Sequence, residues 1–281
     1  MTSMTRPPQR TPLSAASLRT AILIGSRLYT AVDVVAQTGS TNADLLAAAR
    51  AGAAAGLILV AEEQTAGRGR LDRSWQSQPG ASLTFSVLLR PAGVPPASRG
   101  WLPLLTGVAV ASALRTATGV DVSLKWPNDV LATSAEPARG GKLAGILAEQ
   151  AGDAIVVGIG LNVSAEQEEL PSGQATSLWL EGAADASREA ILVAIAAELE
   201  HWYMRWANGP QPGDAVASGL HAEYLRSCST VGRDVRVELP GGSVLTGRAS
   251  DVDSVGRLLV SAADGEHAIS AGDVVHVRPE P

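Results

Sequence analysis

The stretch AEEQTAGRGRLDRSW, Ala61–Trp75, carries three arginines, Arg68, Arg70 and Arg73, in a chain of formal charge −6, and Gly67 and Gly69 flank the first of them. Just before it, Leu57–Val60 is a short apolar run with the composition of a buried strand. After it, Ser82–Arg90 (SLTFSVLLR) alternates, with Leu83, Phe85, Val87 and Leu89 on one face, which predicts a half-buried strand. The stretch is thus read as a cationic loop joining two neighbouring strands. Glycine lets backbone N–H groups approach a ligand closely, and arginine offers a planar fork of donors to carboxylate or phosphate. Such a loop suits one anion, or two that must be held together against their repulsion. The same residues also suit a solvated surface loop or an RGG-like segment that touches nucleic acid, and the stretch alone does not separate these readings.

The rest of the chain narrows the choice. Its 281 residues suffice for one large domain plus a small one, and 46% hydrophobic against 18% charged residues predicts a packed globular protein. A pI near 5.3 argues against general nucleic-acid affinity, which needs a basic face. Cys228 is the only cysteine, so there is no internal disulfide and no cysteine-based zinc site; the four histidines match no ligand spacing. The most apolar helical stretch, Trp101–Leu114, is too short to cross a bilayer, and Ala21–Ile24 is too short for a signal peptide, so the cytoplasm is the expected location.

Taken in order, Met1 to about Pro12 reads as a disordered tail and Leu18–Ile24 as a short helix. Val32–Ala36 reads as a strand and Ala43–Arg50 as a helix, with Ser40, Thr41 or Asn42 as its N-cap. Those three residues are either caps alone or, with the free N–H groups of a helix start, a place for a ligand's polar head. Leu102–Thr118 is predicted helical and Val122–Trp126 a strand, followed by KWPNDV (Lys125–Val130), in which Asn128–Asp129 makes a turn. Thr133–Gly140 reads as a mobile loop or hairpin tip. Lys142–Glu149 and Ala154–Val163 predict a hairpin turning at Gly152–Asp153. Gly141–Lys142 is no phosphate loop, since Leu143 and Glu136 stand where Ser/Thr and Gly are required; Gly158 and Gly160 lack the third glycine of a dinucleotide fingerprint. Hydrolase and metalloprotease motifs are absent. Ala186–Ala207 predicts a helix with a core stripe of Ile191, Ile195 and Leu199. Asn208–Asp214 reads as a linker at a domain boundary, followed by a helix to Arg226. Val231–Val277 predicts a small all-β barrel that docks on the first domain and carries no obvious chemistry.

Six stretches occur in order: GSTN (Gly39–Asn42), QTAGRGR (Gln64–Arg70), RSW (Arg73–Trp75), KWPND (Lys125–Asp129), GKLAGILAE (Gly141–Glu149) and GIGLNV (Gly158–Val163). As a set they closely resemble the biotin–protein ligase family, from about residue 32 to the C-terminus. The resemblance implies an α+β fold similar to class II aminoacyl-tRNA synthetases, a mixed sheet backed by helices, plus a small C-terminal SH3-like β-barrel. It divides the chain into an N-terminal tail and short helix (1–30), a catalytic biotin- and ATP-binding domain (31–227) and the barrel (228–281). The implied activity is a two-step ligase: biotin and ATP give biotinyl-5′-AMP, and a lysine of a biotin carboxyl carrier domain of a carboxylase then takes the biotinyl group.

Carried across residue by residue, the resemblance implies that Ser40, Thr41 and Gln64 hydrogen-bond the biotin ureido ring with Asn42 beside them. Arg68, Gly69 and Arg70 close over the biotin carboxylate and the adenylate phosphate, and Arg73 adds positive charge at the nucleotide. Trp75 packs beside the adenine. Lys142 bridges carboxylate and α-phosphate oxygens, Asn128 and Asn162 contact the nucleotide, and backbone of Gly145 and Ile146 lines the pocket. Asp129 assists Mg2+ brought with ATP, or helps draw the proton from the incoming amine. As isolated residues, Trp75 is equally plain core, Asn162 a strand-end cap and Lys142 a solvated lysine.

Two departures from the family pattern stand out: Leu71–Asp72–Arg73 where many members have Arg-Gly-Arg, and a long segment between Asp129 and Lys142 that makes Thr133–Gly140 an insertion. Some members also repress transcription through an N-terminal helix-turn-helix. The first thirty residues are too short and Pro-rich for one, so a monofunctional ligase without DNA or membrane binding is expected, as a monomer or weak homodimer. The rivals are a lipoate–protein ligase or octanoyltransferase, a non-enzymatic biotin or adenylate sensor, and an RNA-binding module built on the barrel. The Gly-Arg-Gly-Arg loop with Lys-Trp-Pro-Asn-Asp, an intact Lys142, and the lack of an aromatic platform argue against them in turn.

Overall fold

The computed structural model describes residues 9–71, 73–133, 140–171 and 173–277. Seven strands, β1 (Ala31–Thr38), β2 (Leu57–Gln64), β3 (Ser82–Leu89), β4 (Val122–Lys125), β5 (Asp129–Ala132), β6 (Gly141–Ala151) and β7 (Ala154–Asn162), form one mixed sheet. Their spatial order is β1-β2-β3-β7-β6-β5-β4, with only the β1–β2 pair parallel. Helices α1 (Ala15–Leu23), α2 (Thr41–Arg50), α3 (Trp101–Thr118), α4 (Arg188–Ala207) and α5 (Leu220–Ser227) surround it. A second, five-stranded antiparallel sheet follows, made of β8 (Asp234–Glu238), β9 (Val244–Val252), β10 (Leu258–Ala262), β11 (Gly265–Ile269) and β12 (Asp273–His276) in the order β11-β10-β9-β8-β12. The architecture is the expected α+β one, with a large mixed sheet and a separate C-terminal β unit.

Helix α3 is apolar nearly all round because it is covered nearly all round: it buries residues from Trp101 to Leu114 between the sheet and α4. Gly119 in the left-handed region ends it, its N–H returning to the Arg115 carbonyl. The predicted stripe Ile191, Ile195 and Leu199 of α4 is buried in the same core.

Several elements differ from the sequence reading. Strand β3 was expected to be half-buried, yet all eight of its residues are buried. Alternation showed one apolar face; the other face, Ser82, Thr84, Ser86 and Leu88, is covered by α2 and by the polar cluster at its start, and Leu88 packs on Leu45, Leu46 and Ala49. The Asn128–Asp129 turn is shorter than read: Asp129 already belongs to β5, a strand the sequence reading omitted, hydrogen-bonded between β4 and β6. Of the expected hairpin tip Thr133–Gly140, residues 134–139 lie outside the described residues, as do residues 1–8 of the expected tail. Gln9–Leu13 are tied down rather than disordered. The nearly buried Arg188 donates to the Thr11 carbonyl (2.7 Å) and to Glu62 (2.7 Å), whose other oxygen accepts the Leu13 N–H (2.6 Å). Buried charges need partners, and the N-terminal segment supplies some of them. Beyond Asn208–Asp214, α5 still packs on α3, so the chain leaves the first body only after Ser227.

The second sheet docks as expected. The buried Trp101 and Trp126 indole N–H groups donate to carbonyls of Asp253, Ser254 and Gly256, and His221 meets Asp251 at 3.1 Å. Among the described residues no helix is long and apolar enough to cross a membrane.

Candidate active site

The sheet register builds a flat floor from small residues. One row across five strands reads Ala61, Thr84, Gly160, Gly145, Asp129; the neighbouring row reads Leu59, Ser86, Gly158, Leu147. Directly paired residues point to the same face, so three glycines lie together on the face that opens into a cavity. Two of them are required by what lies on them. A Cβ on Gly160 would stand 2.3 Å from the Trp75 indole, and one on Gly158 2.2 Å from Asn42 Oδ1. The sequence reading took these glycines as a failed dinucleotide motif and as part of the GIGLNV stretch, and missed this use. Their signal was two glycines at the period of a strand face.

The cationic stretch enters over this floor. Strand β2 runs on through Gln64, and Gly67 and Gly69 then meet the residues before β3: Trp75 N–H donates to Gly67 O (2.9 Å) and Gly69 N–H to Arg73 O (2.6 Å). This sets Trp75 against the glycines, with Arg68, Gly69, Arg70 and Arg73 around the same cavity. Arg70 reaches across to Asn128 Oδ1 (3.1 Å) and to the Gly272 carbonyl (3.5 Å). Burial pulls the Arg70 guanidinium below its ordinary value, Asp129 opposes this, and Arg73 adds to it. Arg73 pairs with Asp273 of β12. The C-terminal β unit, in whose sequence no obvious chemistry was read, therefore supplies one carboxylate and one carbonyl to the cationic loop. Nothing local in its sequence marked Gly272 or Asp273, because only the docking of the two sheets brings them there.

On the far side stand the groups of KWPND and GKLAG. The Trp126–Pro127 peptide is cis. Asn128 donates its Nδ2 to Ile146 O (3.1 Å), and Ile146 N–H donates to Asn128 O (2.9 Å), which locks the turn to β6. Lys142 Nζ lies 2.6 Å from Asp129 Oδ1, the two side chains 36% and 20% exposed. The Lys142 main chain is held on both sides, its N–H donating to Gln174 O (2.8 Å) and its carbonyl accepting from Thr176 N–H (3.0 Å). Gly141 permits this: at φ 145° its missing Cβ would meet Gln174 O at 2.7 Å. Half-buried Lys125 is pulled down chiefly by burial; Asp129 raises it and Lys142 and Arg73 lower it further, so it belongs to the same field of charge.

At the opposite end the buried Ser40, Thr41 and Asn42 gather with Gln64. Ser40 caps α2 through Ala43 N–H, whereas Thr41 and Asn42 turn their side chains into the sheet. Gln64 Oε1 accepts the Thr41 N–H (2.8 Å) and lies 3.0 Å from Thr41 Oγ1.

The residues singled out from sequence thus converge on one cavity, with one exception. Ser40, Thr41, Asn42, Gln64, Arg68, Gly69, Arg70, Arg73, Trp75, Asn128, Asp129, Lys142, Gly145 and Ile146 all line it; Asn162 does not. Asn162 is buried and donates to Thr176 O (3.0 Å), and Thr176 N–H donates to Lys142 O. It stands one residue behind the Lys142 backbone. Among the described residues no group of three or more His, Cys, Asp or Glu side chains could hold a metal. A cavity with a polar, hydrogen-bonding end, an aromatic-covered floor and a cationic rim can orient an uncharged ring at one end and juxtapose two anionic groups at the other.

Comparison with known proteins accords with this arrangement. Residues 34–164 match the biotin/lipoate A/B protein ligase family, and residues 230–277 the biotin protein ligase C-terminal domain. The chain is 45% identical over 274 residues to a biotin–[acetyl-CoA-carboxylase] ligase of Mycobacterium tuberculosis, covering 96% of this chain and 97% of that one. It is 30% identical over 250 residues to a bifunctional ligase/repressor of Bacillus subtilis, covering 86% and 72%. Its fold matches a biotin protein ligase from Aquifex aeolicus solved in complex with biotin and ATP, with TM-score 0.70, 28% identity, and 88% and 99% of the two chains covered. With this cavity at the centre of the matched residues, the chain belongs to the biotin protein ligase family.

Proposed function

We propose that the protein activates biotin with ATP as biotinyl-5′-AMP and transfers the biotinyl group to a lysine of a biotin carboxyl carrier domain. The observation that carries this is the Lys142–Asp129 pair facing Arg68, Arg70 and Arg73 across the cavity, with the uncharged Ser40, Thr41 and Gln64 end opposite. In the first step a biotin carboxylate oxygen attacks the α-phosphorus and pyrophosphate leaves. Two anions must meet, and fixed cations lower that barrier. Lys142 exchanges Asp129 for oxygens of the carboxylate and α-phosphate, while the arginines hold the remaining phosphate charge. In the second step the carrier amine attacks the acyl carbon and AMP leaves. Asp129, released from Lys142, can then accept the amine proton.

Trp75 on its glycine floor offers a stacking face for the adenine, and Asn128 a polar contact. Mg2+ enters as MgATP. Of the two carboxylates at the cavity Asp273 is paired with Arg73, and Asp129 would assist an ion held mostly by phosphate and water rather than by a protein cage. In this reading residues 31–227 do the chemistry and 228–281 close the nucleotide side through Gly272 and Asp273.

The test is biotin-dependent exchange of labelled pyrophosphate into ATP, without any acceptor protein. Exchange that requires biotin supports the reading; exchange driven by lipoate and not biotin, or none with either, overturns it.

A further inference from the structure

A chain of hydrogen bonds leaves the cavity through residues that do not line it. Asn42 Nδ2 lies 2.8 Å from Glu149 Oε2 and 3.2 Å from the Leu147 carbonyl; Asn42 Oδ1 lies 2.6 Å from Ser86 Oγ; Ser86 Oγ lies 2.7 Å from Thr41 Oγ1; Thr41 Oγ1 lies 3.0 Å from Gln64 Oε1. Neither Ser86, which is fully buried on β3, nor Glu149 on β6 touches the cavity.

Counting protons gives this chain one direction. The amide of Asn42 faces two acceptors on one side, a carboxylate and a carbonyl, so its NH2 must lie there and its oxygen must face Ser86. An amide oxygen has no proton to give, so the single Ser86 proton goes to Asn42. Thr41 then has one proton and two acceptors for it, Ser86 Oγ at 2.7 Å and Gln64 Oε1 at 3.0 Å, and the shorter contact takes it. Thr41 Oγ1 and Gln64 Oε1 are left 3.0 Å apart at the cavity wall with no proton between them. The Gln64 amide is itself oriented by the Thr41 main-chain N–H, which donates to its oxygen. Two oxygens in that state form a cleft for an N–H donor.

Resting on the biotin reading of this cavity, we infer that Ser86, backed by Asn42 and Glu149, is a positioning residue that makes Thr41 and Gln64 a pair of acceptors and so selects an acid carrying a urea or amide N–H over one carrying none. Without the Ser86 hydroxyl, the Thr41 proton turns to Gln64 Oε1. The acceptor pair then satisfies itself, and a ligand N–H meets one acceptor fewer.

Ser86→Ala tests this by calorimetry with biotin, with desthiobiotin, which keeps the urea, and with ATP, alongside pyrophosphate exchange driven by biotin and by lipoate. The expected result is biotin and desthiobiotin Kd and biotin KM raised about 10- to 100-fold. Exchange at saturating biotin, ATP Kd and lipoate-driven exchange stay within about twofold, so the biotin-to-lipoate selectivity falls by the same factor. Glu149→Leu, which leaves the Ser86 hydroxyl in place but removes the outer acceptor, shifts biotin in the same direction by less, and Ser86→Thr, which restores a hydroxyl, recovers biotin binding. Unchanged biotin affinity in Ser86→Ala, or equal losses for biotin, ATP and lipoate with a lowered Tm, overturns the inference. If Ser86→Ala does not fold, the decision passes to Glu149→Leu, where an unaltered biotin affinity overturns it. Absence of biotin binding by the unaltered protein would instead overturn the biotin reading itself.

Discussion

The ammonium of Lys142 and the carboxylate of Asp129 lie 2.6 Å apart across two paired strands, β6 and β5, at the edge of a cavity that carries three arginines on its other rim. Each offsets the other's charge while no phosphate is near. In the proposed mechanism a nucleotide gives Lys142 a better anion and frees Asp129, so one contact prepares both steps. Asp129→Asn should therefore leave biotin-dependent pyrophosphate exchange largely intact and slow transfer to the carrier by about 10²-fold, the usual scale of a general base. Single-turnover kinetics separates the two steps; equal loss in both contradicts the assignment.

The pairing of Arg73 with Asp273 joins the cationic loop to the second sheet, on the side proposed for the nucleotide. Arg73 is 66% exposed, so Asp273→Asn should change stability by less than about 1 kcal/mol. Its effect should fall on ATP, since Asp273 competes with phosphate for Arg73. The KM for ATP should drop about two- to fivefold at low salt, a difference that shrinks as salt screens both contacts, while the biotin KM stays put. A raised ATP KM would show that Asp273 supports the arginine rather than competing for it.

Gly160→Ala tests the floor. No unusual backbone angle is at stake, but the added methyl would lie 2.3 Å from the Trp75 ring. Trp75 must move, so affinity for the adenylate should fall at least about tenfold, with a matching shift in tryptophan emission. Pairing it with Trp75→Ala should remove the further loss, since the clash is gone. A loss that persists unchanged on top of Trp75→Ala would place the effect elsewhere.

How much of this was legible from sequence depended on whether the signal was local. The strand Leu57–Val60, the loop after it, and the hairpin turning at Gly152–Asp153 were legible because apolar period and glycine placement decide them. Strand β5 was not: four residues after a turn carry too little pattern, and its pairing with β6 comes from residues nine to sixteen positions on. Ser82, Thr84 and Ser86 looked like the solvent face of β3, since periodicity separates two faces without saying what covers each. Asp273 and Gly272 reach the site only through docking of the second sheet. Asn162 carried a correct signal, a polar residue at a strand end near the site, but its buried amide is turned to Thr176 rather than into the cavity.

Acid should loosen the turn that carries Asn128 and Asp129. Burial, with Lys125 and Arg233 nearby, lowers His276 from its ordinary 6.5 to about 4. Its Nε2 lies 3.1 Å from the Thr230 hydroxyl, whose oxygen accepts the Trp126 N–H. A neutral His276 can accept the Thr230 proton; a protonated one cannot. Because the folded value is depressed, the unfolded chain takes up the proton first. The contribution is complete above pH 6.5 and is lost as pH falls from 6.5 through 4. His276→Gln keeps an acceptor and cannot titrate, so the Tm of that variant should fall less over this window; an identical fall would exclude His276 as a source.

In the proposed mechanism Lys142 carries the chemistry of biotin transfer. Its most direct test is the intact mass of a purified biotin carboxyl carrier domain after incubation with the protein, biotin and MgATP, beside Lys142→Ala and with lipoate in a parallel reaction. The unaltered protein should give a biotin-sized increase and no lipoate-sized one, and Lys142→Ala a rate lower by at least about 10²- to 10³-fold. A carrier biotinylated as fast by Lys142→Ala, or lipoylated in place of biotinylated, would contradict that mechanism.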